Sequence, residues 1–407
     1  MKILGIETSC DETAVCLIKA SGTGPEDFTY KVLGNALYSQ VAIHAPYGGV
    51  FPNLAKREHA KNLVPLLTQA LQQSGLLLEG LTFQYSGRSD LPTLLVREPE
   101  LLEQLTEFLA QYGKPDIDAI AVTAGPGLEP ALWVGVNFAR ALSLVWDIPI
   151  VAVNHMEGHV MMSMAQCEVD SEQLTVDRRE IASNPSVNCK LSTVDFPLLS
   201  LLISGGHTEL VLSTEWMKYQ RIGETRDDAV GEAFDKVARM LGLPYPGGPE
   251  ISRLAASAHA EGITEVFALP RPMIGEDNYD FSFSGLKTAV KRLAEAHPDM
   301  SDDEKKDLAR EFEDAAADVL VAKTLRAAEE YGAQTVLVGG GVSANTYIRQ
   351  RLAEATAGAG HIQLLVPPPE LATDNALMIA LPGYFRALKK EFADLTTLRA
   401  NGNLRLS

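Results

Sequence analysis

The stretch FPLLSLLISGGHTELVLSTEW, residues 196–216, decides how this chain folds. It is an apolar run (PLLSLLI), a small polar turn (SGGHTE) and a second apolar run (LVLST). Short apolar runs bounded by Gly, Ser and Thr read as strands joined by a tight turn. The chain opens on the same arrangement: between Lys2 and Ala20 it reads ILGI, then ETSCDET, then AVCLI. A strand–turn–strand unit at the start of each half implies an internal duplication. The expected class is α/β, with two duplicated lobes and a cleft between them. Both turns combine small residues, hydroxyls and acids. Their amides suit an anion, and Asp11 and Glu12 could serve a metal or a water. A solvated hairpin loop fits the first turn equally well.

Working outward, 407 residues suffice for two lobes. Val32 to Ile43 is strand-like, and HAPYGGVFPNLAKREHAKNLVPLL gives a Gly/Pro-rich loop and an amphipathic helix with Asn53 as N-cap. Lys56, Arg57, His59 and Lys61 on that helix read as a solvated basic face. Residues at about 80–105 look like an insertion, and Leu101 to Tyr112 like a short helix. Asp118 to Ala124 is a buried-strand run, followed by Gly125-Pro126-Gly127 and a helix to Trp146. Strand, Gly-rich turn and helix form a common ligand corner, although GPG is no dinucleotide fingerprint. Cys167 to Asp195 is polar and acidic and marks the internal boundary. The expected division is an N-terminal lobe at 1–165, a polar insertion or linker at 166–195, a C-terminal lobe at 196–372 and a helical segment at 373–407 closing the cleft.

The chemistry concentrates at VAVNHMEGHV, residues 151–160. An apolar strand ends at Asn154, a good N-cap, so His155 and His159 fall one helical turn apart. Two imidazoles so placed can grip one metal ion; an ordinary helix with two histidines fits the same spacing. Glu157 points about 200° away from His155 around the helix, which disfavours a zinc protease. Asp374 and Asn375 sit before a late helix. Asp374 reads either as its N-cap or as a third metal ligand. Asp235, on a helix that stops at Gly242, could bond ribose hydroxyls or be a surface acid. Asp280 to Val290 reads as a short strand, a Ser/Gly turn and a helix start. Gly339 to Gly341 join a strand to a helix opening near Ser343 or Asn345, which lets a ring or phosphate touch the backbone.

Net charge is −18. A general nucleic-acid binder is disfavoured, because phosphate neutralisation needs clustered Lys and Arg. An RNA substrate would need a local basic patch or a basic partner. No apolar run approaches a membrane span. MKILGIETSCDET is strand-like and acidic, unlike a signal peptide, so the chain is expected in the cytoplasm. Cys10, Cys16, Cys167 and Cys189 form no CxxC pair and are expected to be free thiols.

Taken together, ILGIETSCDETAV, VFPNLAKREHAKNL, AVTAGPGLEPALWVG, NHMEGHV, LLISGGHTEL, GEAFDKVARMLGLPYPGGP, FSFSGLKTAV, VGGGVSAN and ATDNALMIA resemble the TsaD-type tRNA N6-adenosine threonylcarbamoyltransferases, bacterial branch. The resemblance implies the actin, sugar-kinase and chaperone-ATPase (ASKHA) fold. It implies one divalent metal ion, Fe2+ or Zn2+, on His155, His159 and Asp374. It implies that Leu202, Ile203, Ser204, Gly205, Gly206, Asp235, Gly248, Ser252 and Asn345 line the site for threonylcarbamoyl-AMP. Ser252 stands where many relatives carry an acidic ligand to the threonyl moiety, so that contact is either missing here or supplied by Glu250. The implied reaction moves the threonylcarbamoyl group to N6 of the adenosine just 3′ of the anticodon, in tRNAs reading ANN codons. Glu12 and Asp11 are the candidates for the amine proton. Implied partners are tRNA, a paralogous dimerising protein of the same fold (TsaB-like) and a small P-loop ATPase (TsaE-like). The alternatives are a small-molecule kinase or ATPase of the same fold, or a nucleotide-binding assembly scaffold.

Overall fold

A computed structural model describes residues 1–80, 90–167, 188–263 and 267–406. The expected insertions at about 80–105 and 166–195 therefore lie partly outside the described residues. In chain order the first elements are β1 (Lys2–Glu7), β2 (Glu12–Ser21), β3 (Thr29–Ser39), α1 (Pro52–Gln73), α2 (Pro99–Gln111), β4 (Ala119–Gly125), α3 (Glu129–Trp146), β5 (Ile150–Asn154) and α4 (His155–Ser163). Short strands β6 (Ala165–Cys167) and β7 (Cys189–Leu191) follow. Next come β8 (Leu198–Ile203), β9 (Thr208–Glu215), β10 (Lys218–Glu224), α5 (Val230–Met240) and α6 (Gly247–Glu261). The chain ends with α7 (Ser284–Ala296), α8 (Asp302–Glu330), β11 (Thr335–Gly339), α9 (Thr346–Ala359), β12 (Gln363–Leu365) and α10 (Leu377–Leu388).

Contacts divide the chain into two compact units. The first holds 1–42, 50–193 and 374–405, and the second holds 43–49, 194–373 and the last two residues. In the first, the sheet order is β5-β4-β1-β2-β3-β7-β6. β1 runs antiparallel to β2 and parallel to β4. In the second, the order is β10-β9-β8-β11-β12, with β8 antiparallel to β9 and parallel to β11. Each unit thus opens on a hairpin whose first strand also pairs, in parallel, with the strand after a helical crossover. The duplication expected from the two hairpins is realised over five strands of each sheet, β5-β4-β1-β2-β3 matching β12-β11-β8-β9-β10, while β7 and β6 extend the first sheet.

Each unit has its own core. Leu4, Ile6, Val15 and Leu17 of the first hairpin pack with α1 and α3 residues such as Leu67, Phe138 and Trp146. Leu199, Leu201 and Leu210 pack with Phe234, Phe312 and Leu320 of α5 and α8. Burial of strands on both faces explains why they read as continuous apolar runs. α10 lies against the other face of β1, and close approach is required there. A Cβ on Gly5 would stand 2.4 Å from the Ala376 carbonyl oxygen.

Three local expectations change. α1 begins at Pro52, with Phe51 rather than Asn53 at the N-cap, because proline suits the first helical position. Phe281 makes only an isolated bridge to Thr225. The Asp227 carboxylate takes the Phe283 and Ser284 amides instead, opening α7. Cys10 and Cys16 are free, but Cys189 is disulfide-bonded. Its strand pairs β6 with Cys189 opposite Cys167, a register hidden by their distance in sequence. No helix among the described residues is long and apolar enough to cross a membrane.

Candidate metal centre and ligand loops

Asn154 starts α4 as its sequence position predicts, its side chain accepting from the Met156 amide at 2.9 Å. His155 and His159 then stand one turn apart, rings 4.7 Å between centroids. Asp374 Oδ1 lies 3.4 Å from His155 Nε2 and 3.2 Å from His159 Nε2. One ligand atom from each residue falls within 4.8 Å of the others. Tetrahedral ligands about 2.1 Å from one ion sit about 3.4 Å apart, so this spacing suits coordination. His159 Nε2 is buried with no hydrogen-bond partner, which an ion would relieve. The three residues thus fit a metal. Asp374 is free to face the histidines because Asn375 takes the capping role, accepting from Met378 N at 3.0 Å.

Two further carboxylates hold this arrangement, and the sequence did not single out the first of them. Glu7, wholly buried at the end of β1, accepts from His155 Nδ1 at 3.2 Å and from the Thr123 hydroxyl at 2.6 Å. It also takes the Ser9 amide. A carboxylate on one ring nitrogen directs the other toward a metal. The signal was present: ILGIE ends a buried central strand on a charge. Glu157 is tied by Arg386 of α10 at 2.8 and 3.1 Å, so it braces α4 and is no general base. Gly158 permits this packing, since a Cβ there would lie 2.8 Å from the Met378 carbonyl oxygen.

Electrostatics show surplus negative charge around the histidines. Burial opposes protonation of His155, but Asp374 and Glu7 outweigh it and push its pKa up to about 10. Burial likewise disfavours charge on Asp374, yet His155 and His159 hold it well below the usual carboxylate range. Burial keeps the second imidazole, His159, below its ordinary value. A site that draws in a proton to balance two carboxylates would favour a divalent cation in its place.

The first turn approaches the same centre. Burial, then the charges of Asp11 and Asp374, push the Glu12 carboxyl well above its usual range. His59 holds the turn: its Nε2 bonds the Cys10 carbonyl at 3.0 Å and its Nδ1 meets the Thr13 hydroxyl at 2.8 Å. The basic-face reading of α1 therefore fails at His59, which is fully buried.

In the second unit the β8–β9 turn carries the expected ligand loop. Ser204 Oγ accepts from the Gly206 and His207 amides, and its carbonyl accepts from Gly231. Leu202 and Ile203 are buried, while nothing stands within 4 Å of a Cβ on Gly205 or Gly206. Asp235 Oδ1 accepts from Gly247 N at 2.8 Å, beside Gly248. Asn345 caps α9, accepting from Ile348 N, and donates to Ser252 Oγ at 2.9 Å and Glu313 Oε1 at 2.7 Å. Ser252 also donates to Glu313, whereas Glu250 is engaged by Arg253. Glu313, on α8, is thus the buried acid beside Ser252. Burial raises its pKa despite the two donors.

Comparison with known proteins agrees with the motifs. The family model described as TsaD, tRNA N6-adenosine threonylcarbamoyltransferase, matches residues 31–83, 99–176 and 181–381. A Bacillus cereus protein named tRNA N6-adenosine threonylcarbamoyltransferase is 40% identical over 409 residues, covering 98% of this chain and 95% of the relative. A Thermomicrobium roseum protein of the same name is 41% identical over 415 residues, covering 97% and 94%. Among solved structures, full-length HypF in its phosphate- and nucleotide-bound form is 12% identical with a TM-score of 0.48, over 96% of this chain and 46% of that one. The activator of the 2-hydroxyisocaproyl-CoA dehydratase from Clostridium difficile, with bound ADPNP, is 11% identical with a TM-score of 0.44, over 97% and 99%. On the family match and the identity of its full-length relatives, this chain belongs to the TsaD family of tRNA N6-adenosine threonylcarbamoyltransferases.

Proposed function

We propose that this chain transfers the threonylcarbamoyl group from threonylcarbamoyl-AMP to N6 of the adenosine just 3′ of the anticodon. The observation that carries the reading is the His155, His159 and Asp374 set in a member of this family. The donor is a mixed anhydride, so its leaving group is already good and no enzyme nucleophile is required. The adenine amine attacks the carbamoyl carbon, the bond from that carbon to the phosphate oxygen breaks, and AMP departs with the electron pair. Glu12, in the first turn, accepts the amine proton, with Asp11 beside it. A divalent ion on the three residues, Fe2+ in preference to Zn2+, supplies a Lewis acid and a template for ligand oxygens. The 202–206 turn, Asp235, Gly248, Ser252 and Asn345 bind the donor. A TsaB-like paralogue and a TsaE-like ATPase complete the assembly that grips tRNA, which suits a chain of charge −18. The cytoplasm is where such an assembly works.

The test is a transfer assay with threonylcarbamoyl-AMP and unmodified tRNA, with and without the partner proteins, reading the modified nucleoside by mass spectrometry. Wild type is expected to form it, and His155→Ala/His159→Ala to lose it. Absence of product from wild type with partners, while the adenylate still binds, would overturn the assignment.

A further inference from the structure

The second unit contains a cavity of about 360 Å3 that the donor residues alone do not explain. Its lining includes Tyr47, Gly48, Asp235, Arg239, Tyr245 and Gly247. Tyr47 and Gly48 come from the HAPYGG loop, the short stretch 43–49 that belongs to this unit. Gly48 has φ 66°, and its carbonyl accepts from the Arg239 guanidinium, which seats the loop on α5. That bond leaves most of the guanidinium's donors available.

Charge sets Arg239 apart. Neighbouring cations are neutralised: Lys236 pairs with Asp228 and Glu232, Lys287 with Asp228, and Arg253 with Glu250. Arg239 is exposed, and among the described residues it has no carboxylate in ion-pair reach. An unneutralised guanidinium in so acidic a chain, facing a cavity, matches a phosphate. Tyr47 is 64% exposed, presenting a ring on which a base can stack. Arginine, tyrosine rings and a carboxylate together describe a nucleotide.

We propose that this cavity seats a nucleotide of the acceptor RNA, with its phosphodiester on Arg239 and a base against Tyr47. The inference rests on the RNA-transfer reading above. Acceptor and donor must come within bonding distance, and a cavity sharing Asp235 with the donor residues is where two nucleotides can meet. It also gives an acidic chain a way to contact RNA: an uncompensated cation and aromatic faces within one cavity.

The experiment measures KM for an anticodon stem-loop RNA and for threonylcarbamoyl-AMP, with partner proteins present. Arg239→Ala and Tyr47→Ala are each expected to raise the RNA KM about tenfold and to leave the adenylate KM within about twofold. Arg239→Lys and Tyr47→Phe should recover part of the loss. Arg239→Ala should also reduce the log–log salt slope of the RNA KM by about 0.7 to 1, which a merely structural defect would not do. Wild-type RNA KM in all variants would overturn the proposal. So would an adenylate KM that rises in step, which would assign the cavity to the donor. If wild type forms no modified nucleoside, the transfer reading itself fails, and this inference with it.

Discussion

Removing the Glu7 carboxylate should weaken metal binding although Glu7 is not a ligand. Its Oε2 accepts from His155 Nδ1 at 3.2 Å and from Thr123 at 2.6 Å, while Oε1 takes the Ser9 amide. In Glu7→Ala the imidazole loses the partner that fixes its tautomer and ring angle, and the site loses one of two carboxylates beside that ring. Loss of such an orienting group costs about 10- to 100-fold in metal affinity, or about 1.4 to 2.7 kcal/mol. Glu7→Gln should fall between, because one amide oxygen cannot accept from all three donors at once. The assay is competition for Co2+ or Zn2+ against a chromogenic chelator, with the Co2+ absorption band reporting ligand geometry. A Glu7→Ala dissociation constant within twofold of wild type, in a protein whose His155→Ala variant no longer binds, would refute the reasoning.

Other expectations follow from the same contacts. Arg386→Ala leaves the Glu157 carboxylate buried without its cation, and should cost about 3 kcal/mol in urea unfolding; replacing both residues by methionine should recover most of it. Gly158→Ala forces α4 away from the Met378 carbonyl. About 1 to 3 kcal/mol of lost stability is expected, with a measurable drop in metal affinity because Asp374 precedes that helix. Glu313 has a raised pKa, so the folded state holds its proton more tightly than the unfolded chain. Wild-type stability should therefore decline relative to Glu313→Gln as pH rises from about 4.3 through the raised folded value, and the two should converge below that window. A stability difference independent of pH would show that folding does not raise the Glu313 pKa.

The hairpins at Lys2–Ala20 and Phe196–Trp216 were legible because both strands of each are buried, so apolar runs and turn residues mark them without ambiguity. Asn154 as a cap and the one-turn spacing of His155 and His159 were legible because helix geometry is local. The alternatives at Asp374 were not decidable locally: its role turned on Asn375 taking the cap and on α10 packing against β1. Glu7, Thr123 and His155 are brought together by parallel pairing of β1 with β4 and of β4 with β5, over more than a hundred residues. Glu313 reached Ser252 and Asn345 by helix packing alone, while the nearer Glu250 turned to Arg253. Periodicity and capping act within a few residues, so the sequence by itself determined the two hairpins, their duplication and the two histidines. Which carboxylates face those histidines, and which acid stands beside Ser252, depends on contacts between distant segments that only the tertiary structure decides.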